Sequence, residues 1–141
     1  MSAAAAYSEL AGRLADASGD VIRRHFRNLP DVNDKVDASP VTIADRQAEE
    51  VMRALLEIEC PDHGILGEEG ENVRQDADYL WVLDPIDGTK NFASGSYQFG
   101  TLISLLMDGA PILGIINQPV LGERWFGLVG ETTTFNGQPI K

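Results

Sequence analysis

Tyr79-Leu80-Trp81-Val82-Leu83-Asp84-Pro85-Ile86-Asp87-Gly88-Thr89 is an apolar run that leads straight into two carboxylates, a proline and a glycine. The aromatic and branched side chains of 79–83 mark a buried strand. At Asp84 the chemistry changes. Pro85 fixes one φ and Gly88 permits close approach or unusual dihedrals, so a turn placed here aims Asp84 and Asp87 at one point. Convergent carboxylates in a partly buried site repel, and one holds a proton unless a cation neutralises them. Oxygen donors of this kind suit a hard divalent cation.

No Cys or His stands near these aspartates to favour zinc. His25 and His63 are isolated in sequence and are assigned surface or packing roles. Magnesium is preferred to calcium because no dense loop offers ligands at every second position, and manganese is the alternative. Upstream, Gly67-Glu68-Glu69-Gly70 places two more carboxylates beside glycines. Alone it is an acidic turn; folded back on Asp84 and Asp87 it completes a carboxylate cluster able to hold more than one ion. Downstream, Gly88-Thr89-Lys90-Asn91 offers backbone N–H groups and a hydroxyl, and a helix beginning here would present donors to an anion. Thr89 also fits as a helix N-cap, and Lys90 fits as a solvated surface residue or a phosphate ligand. Thr42-Ile43-Ala44-Asp45 matches a capping box, with Thr42 at the N-cap and Asp45 three positions on.

Outward from the central strand, short β-rich runs separated by Gly, Pro and Asn are expected near 64–67, 79–84, 98–107, 111–118, 123–129 and 132–135. Asp108-Gly109-Ala110 reads as a hairpin turn, as does Asn136-Gly137, after which the returning strand has barely begun. The chain is therefore expected to be part of a longer polypeptide. On the N-terminal side, Leu10, Leu14, Ala17, Val21, Ile22 and Phe26 recur at helical spacing over 7–26. Segment 28–40 reads as a surface loop. A second helix is expected over 42–59, with Ala44, Ala48, Val51, Met52 and Leu55 on its buried face and Cys60-Pro61 ending it. The predicted fold class is α+β, two helices covering one face of a largely antiparallel sheet.

At 141 residues, with 43% apolar and 23% charged side chains, the chain has the composition of one soluble globular domain. Its formal charge of −11 opposes binding to nucleic acid or an anionic membrane. An acidic chain that binds an anionic phosphate needs a cation between them. The single cysteine, Cys60, precludes an internal disulfide and reads as a small buried hydrophobe. The first residues lack a basic region followed by an apolar one, and no apolar run approaches a membrane span, so a cytoplasmic protein is expected.

With these residues assembled, the sequence resembles the inositol monophosphatase family, and within it the bacterial and plant histidinol-phosphatase branch. Three segments carry the family likeness: Ser39-Pro40-Val41-Thr42-Ile43-Ala44-Asp45-Arg46, Gly64 to Gly70, and Trp81 to Phe92. Phe99-Gly100-Thr101-Leu102-Ile103 and Gln118-Pro119-Val120-Leu121-Gly122-Glu123-Arg124-Trp125 carry the branch. Asn91 is nearer to the inositol-phosphatase form, because the histidinol-phosphatase branch usually has Ser there.

The resemblance implies a layered α/β sandwich of the sugar-phosphatase type, usually dimeric. It implies magnesium, two or more ions, held by Glu68, Asp84, Asp87 and the carbonyl of Ile86. Gly88 and Thr89 would hold the phosphate, with Glu68, Ile86 and Asp87 also against the substrate. Thr89 and Asp45 would position and deprotonate the attacking water, and Glu68 would support a water at the metal. The substrate would be a small phosphorylated metabolite, histidinol phosphate in histidine biosynthesis first and inositol phosphate second. An inactive metal- or phosphate-binding fragment is the competing expectation, because residues 1–141 match only the N-terminal part of such a domain. The family's further aspartate, in a Trp-Asp motif, belongs to the second half.

Overall fold

Apolar side chains at helical spacing and at strand spacing close on one another along one face of a single sheet. The computed structural model describes residues 2–28 and 40–140. The expected loop 28–40 lies almost wholly outside the described residues. A short α1 (Ala3–Ala6), capped by the Ser2 hydroxyl, leads into α2 (Ser8–His25). Next comes α3 (Pro40–Glu59). This helix starts two residues before the expected Thr42, so Thr42 lies within it and is not its N-cap. Pro40 is well suited to a first helical position, where no N–H is needed and φ is already helical.

Among the described residues the strands form one seven-stranded sheet in chain order. They are β1 (Gly64–Leu66), β2 (Tyr79–Asp87), β3 (Gly100–Met107), β4 (Ala110–Gln118), β5 (Glu123–Leu128), β6 (Thr134–Phe135) and β7 (Gln138–Pro139). A five-residue helix, α4 (Thr89–Ala93), follows β2. Only β1 and β2 pair in parallel, and every later pair is antiparallel. Both expected hairpins form: Asp108 and Gly109 turn β3 into β4 with φ of 49° and 82°, and Asn136 and Gly137 repeat the geometry with 49° and 82°. Two successive positive φ values give the turn whose twist matches paired strands, which explains the Asp-Gly and Asn-Gly choices.

The main core lies between α2, α3 and one face of the sheet. Leu10, Leu14, Met52 and Leu56 meet Trp81, Leu83, Ile103, Leu105, Leu113 and Ile115. Leu56 lies on the buried face of α3, whereas the expected Val51 and Leu55 are only partly buried. Ala17 of α2 is likewise half-buried, and Ala15 and Ser18 take the fully buried positions instead. A second cluster of Val21, Ile22, Ala44, Ala48, Ile86, Phe92 and Phe99 sits where the helices pass the end of β2. It brackets the Asp87-Asn91 segment with the buried side chains of Ile86 and Phe92, fixing both of its ends.

Candidate active site

The strand β2 extends three residues beyond the expected end at Asp84 and carries the whole Asp84-Pro85-Ile86-Asp87 segment. Its register with β3 slips there. Asp84 faces Leu102, whereas Asp87 faces Gly100, so β2 advances three residues while β3 advances two. In a regular strand, residues three apart point to opposite faces. One extra residue resets the alternation and lets two carboxylates three apart share a side. Pro85, which has no N–H to donate, occupies the irregularity at no cost to the ladder. Buried Thr101 donates its hydroxyl to the Pro85 carbonyl at 2.7 Å and holds the bulge in place.

Gly88 then turns the chain with φ 94° and serves as N-cap of α4. A Cβ there would stand 2.7 Å from the Gln98 carbonyl, so the residue is glycine for both dihedral and space. Thr89 is the first residue of α4 and exposed, and is not the N-cap; Lys90 is exposed beside it. The helix anticipated after Gly88 does begin at Thr89. Asn91 donates to the Gln98 carbonyl at 2.8 Å, fastening α4 to the segment that returns toward β3.

Asp45, Glu68, Glu69, Asp84 and Asp87 influence one another at this strand end. Asp45, on the first turns of α3, is 4% exposed, and its pKa is raised to about 7. Burial is the main cause, followed by the charges of Glu69, Asp84 and Glu68, with a hydrogen bond from the Ile86 backbone N–H opposing them. Asp84 is raised to about 6, by burial first and then by Glu68 and Asp87, and it shares a side-chain hydrogen bond with Glu68. Glu68, Glu69, Asp87 and Thr89 are exposed and accessible to a ligand. Asp45 Oδ1 and Asp84 Oδ1 are buried and have no hydrogen-bond partner. Such oxygens are costly to leave empty and suit a cation. Among the described residues no three His, Cys, Asp or Glu side chains are gathered into a finished metal-ligand set. The side chains of Glu68 and Asp87 are exposed, with open space around them.

His63 takes a packing role and His25 a surface one. His63 Nδ1 accepts from Trp81 Nε1 at 3.0 Å and its ring stacks on Tyr79, while His25 Nε2 lies 2.7 Å from Gln47 Oε1. Burial lowers the His63 pKa, consistent with a neutral ring accepting at Nδ1. Cys60 is buried immediately after α3, as expected.

Glu49 is the residue the sequence reading missed. It is 1% exposed on α3, one turn beyond Asp45, and its carboxylate accepts from the backbone N–H groups of Glu68, Glu69 and Gly70 at 2.7–3.2 Å. Arg53 Nε completes the set at 3.0 Å. The signal was present as a helical stripe of Asp45, Glu49, Met52 and Leu56 that puts two acids in line with two core residues. A charge in a core stripe implies a dedicated partner.

Residues 5–141 match the model of the inositol monophosphatase family. The chain belongs to this family. It is 54% identical over 136 residues to the chloroplastic bifunctional phosphatase IMPL2 of Arabidopsis thaliana, covering 95% of this chain and 39% of that protein. It is 39% identical to a histidinol-phosphatase of Chlorobaculum parvum, covering 94% of this chain and 52% of that one. Among solved structures, an inositol monophosphatase from Zymomonas mobilis superposes with a TM-score of 0.89 at 54% identity, over 99% of this chain and 54% of that chain. The chain thus spans about half the length of the relatives it matches. The mixed helix and sheet fold is that of its structural neighbours, which supports the expected layered α+β class. No helix among the described residues is long and apolar enough to cross a membrane.

Proposed function

We propose that this chain forms the N-terminal metal- and phosphate-binding part of a magnesium-dependent phosphomonoesterase. The observation that carries the reading is the pair of buried, unpartnered oxygens Asp45 Oδ1 and Asp84 Oδ1, set among the charges of Glu68, Glu69 and Asp87. Glu68, Asp84 and Asp87, with the Ile86 carbonyl, would hold two or more divalent cations, magnesium first and manganese second. When bound, the cations supply positive charge to the phosphate and favour ionisation of water. Phosphate monoesters hydrolyse so slowly unaided that most of the acceleration must be electrostatic and positional.

The remaining steps belong to the chain's own groups. Gly88 and Thr89 bind the phosphate at the start of α4, and Glu68, Ile86 and Asp87 line the same space. The Thr89 hydroxyl and the Asp45 carboxylate orient the attacking water and take its proton. Asp45 suits the role of general base because it is buried at the same strand end and keeps one carboxylate oxygen without a hydrogen-bond partner, available to accept the proton. Water attacks phosphorus in line, the ester P–O bond breaks, and the alcohol leaves with a proton as inorganic phosphate forms.

Histidinol phosphate is the first substrate in this reading. Its cationic amine and imidazole suit a chain of net charge −11, and relatives from Chlorobaculum parvum and Mycobacterium tuberculosis are named histidinol-phosphatases. Inositol phosphate is the second reading, favoured by Asn91 and by the likeness to the Zymomonas mobilis inositol monophosphatase. The acidic charge and the one buried cysteine support a cytoplasmic setting, and self-association into a dimer belongs to the same reading. The test is phosphate release with magnesium, with and without a chelator, from the unmodified chain and from Asp45→Asn. The expectation is metal-dependent release that Asp45→Asn abolishes. No metal-dependent release from well-folded protein would leave a phosphate- or metal-binding fragment instead. Specificity constants on the two substrates decide between them, and a preference for inositol phosphate reverses the first choice.

A further inference from the structure

Glu49 is a buried carboxylate for which the proposed hydrolysis has no direct use. Each of its hydrogen-bond partners is a donor. Four hydrogen-bonding contacts come from three consecutive backbone N–H groups: Glu68 N to Oε1 at 2.9 Å, Glu69 N to Oε1 and Oε2 at 3.2 Å each, and Gly70 N to Oε2 at 2.7 Å. Arg53 adds Nε at 3.0 Å from the same helix, and its Nη1 reaches on to the Glu71 carbonyl at 2.7 Å. The 67–71 segment is therefore draped over one carboxylate and one guanidinium. A side chain would crowd the drape at both ends, most tightly at Gly67. A Cβ on Gly67 would stand 2.5 Å from Glu49 Oε1, and a Cβ on Gly70 would stand 3.0 Å from the Arg53 guanidinium.

This arrangement has a consequence for Glu68 and Glu69, whose side chains are exposed and whose backbone has few other anchors. Gly67 N is held by Asn72 Oδ1 at 3.1 Å, but the next three N–H groups are committed to Glu49. Asp45 lies one helical turn away on the same helix, so α3 carries both a reacting carboxylate and the anchor of the opposing loop. A rigid helix with two carboxylates a turn apart sets the distance between Asp45 and the Glu68-Glu69 backbone.

We propose that Glu49 is a positioning residue that fixes Glu68 and Glu69 against Asp84 and Asp45 and thereby sets the affinity of the site for divalent cations. The inference rests on the metal-dependent reading above. Groups that orient metal ligands commonly change affinity by about 10- to 100-fold when removed, although they never touch the ion. Glu49→Gln keeps the size of the side chain but replaces one acceptor oxygen with an N–H₂ group that faces backbone donors. The loop then loses its anchor.

The test is manganese titration of the 141-residue chain, followed by electron paramagnetic resonance, with thermal melting of every variant alongside. Glu49→Gln should weaken manganese binding by about tenfold or more. Gly67→Ala should do the same while leaving the Glu49 charge intact, which provides an independent reading if Glu49→Gln fails to fold. Glu9→Gln, the same charge change on an exposed face of α2, should leave the affinity unchanged. Glu49→Asp, which keeps the charge on a shorter stem, should recover part of the loss. Unmodified protein that binds no manganese overturns the metal reading and this inference together. Binding that is unchanged in both Glu49→Gln and Gly67→Ala, whatever their melting temperatures, overturns the inference alone.

Discussion

The two faces of the sheet are built from similar side chains and meet different surroundings. Trp81, Leu83, Ile103, Leu105, Leu113 and Ile115 lie under α2 and α3 and are at most 3% exposed. One residue along, Val82, Leu102, Ile116 and Trp125 line an open apolar groove, in which Ile116 is 50% exposed. Neighbouring residues of a strand point to opposite faces, so Trp81-Val82-Leu83 is apolar on both sides. Strands of this kind are made to lie between two layers. Among the described residues only one layer is present. The row on the open face, Val82 then Asp84, runs directly into the carboxylates, so the site stands where the uncovered face meets the helix-covered one.

The covered face should carry most of the stability, and the largest effect is expected there. Trp81→Ala removes a fully buried indole from the main core and leaves His63 Nδ1 without its donor. A loss of about 3–5 kcal/mol in urea unfolding is expected. A loss below about 1 kcal/mol would mean that the two faces are not as different as they look.

At the boundary between the faces, pH should act in the direction opposite to ordinary acid denaturation. Both Asp45 and Asp84 have folded-state pKa values raised above 3.8, to about 7 and about 6. Between about pH 4 and pH 7 the folded chain therefore binds more protons than the unfolded one at these two sites. Their contribution is fully present below the unfolded pKa and is lost as pH rises through the folded values. For nearly fully buried Asp45 the loss is on the order of a few kcal/mol. The metal-free chain should have a higher urea midpoint at pH 5.5 than at pH 8 for this reason, with other titrating groups removed by comparison with Asp45→Asn. That variant should be more stable than the unmodified chain at pH 8, and magnesium should close the gap. Equal midpoints for the two proteins at pH 8 would show that Asp45 carries no burial penalty.

These contrasts also separate what the sequence could convey from what it could not. The two helices and the strands out to β6 were legible because apolar periodicity is local, and the Asp-Gly and Asn-Gly turns because their dihedrals demand those residues. The grouping of Asp84, Asp87 and Glu68 was legible from Pro85, Gly88 and the glycines beside Glu68, whereas Asp45 read alone as a capping residue and joined them only through the family motifs. The bulge that lets Asp84 and Asp87 share a side depends on the register of β3 against β2, a non-local quantity that Pro85 and Gly88 hint at without fixing. Glu49 was missed because, apart from Arg53, its partners are backbone N–H groups, which every residue but proline has, so nothing in 67–70 names the carboxylate that will hold it. Helix α3 began two residues early for a related reason: Pro40 is as good a first helical residue as it is a loop residue.

The smallest effect on folding is expected on the open face, where it should coincide with a large effect on association. Ile116 pairs across the strands with Leu102 on one side and Trp125 on the other. Such cross-strand contacts are worth roughly 0.2–1 kcal/mol each, and Ile116 keeps half of its surface in water. Ile116→Asp should therefore cost about 1 kcal/mol or less in unfolding of dilute protein. Light scattering of the unmodified chain should show association, because an apolar groove of this extent drives molecules together. Ile116→Asp should return it to a monomer, since a charge buried at such a contact has no partner. A clean monomer for the unmodified chain would contradict the association. If Ile116→Asp instead unfolds the chain as Trp81→Ala does, the groove is closed within the folded unit, and the distinction between the two faces disappears.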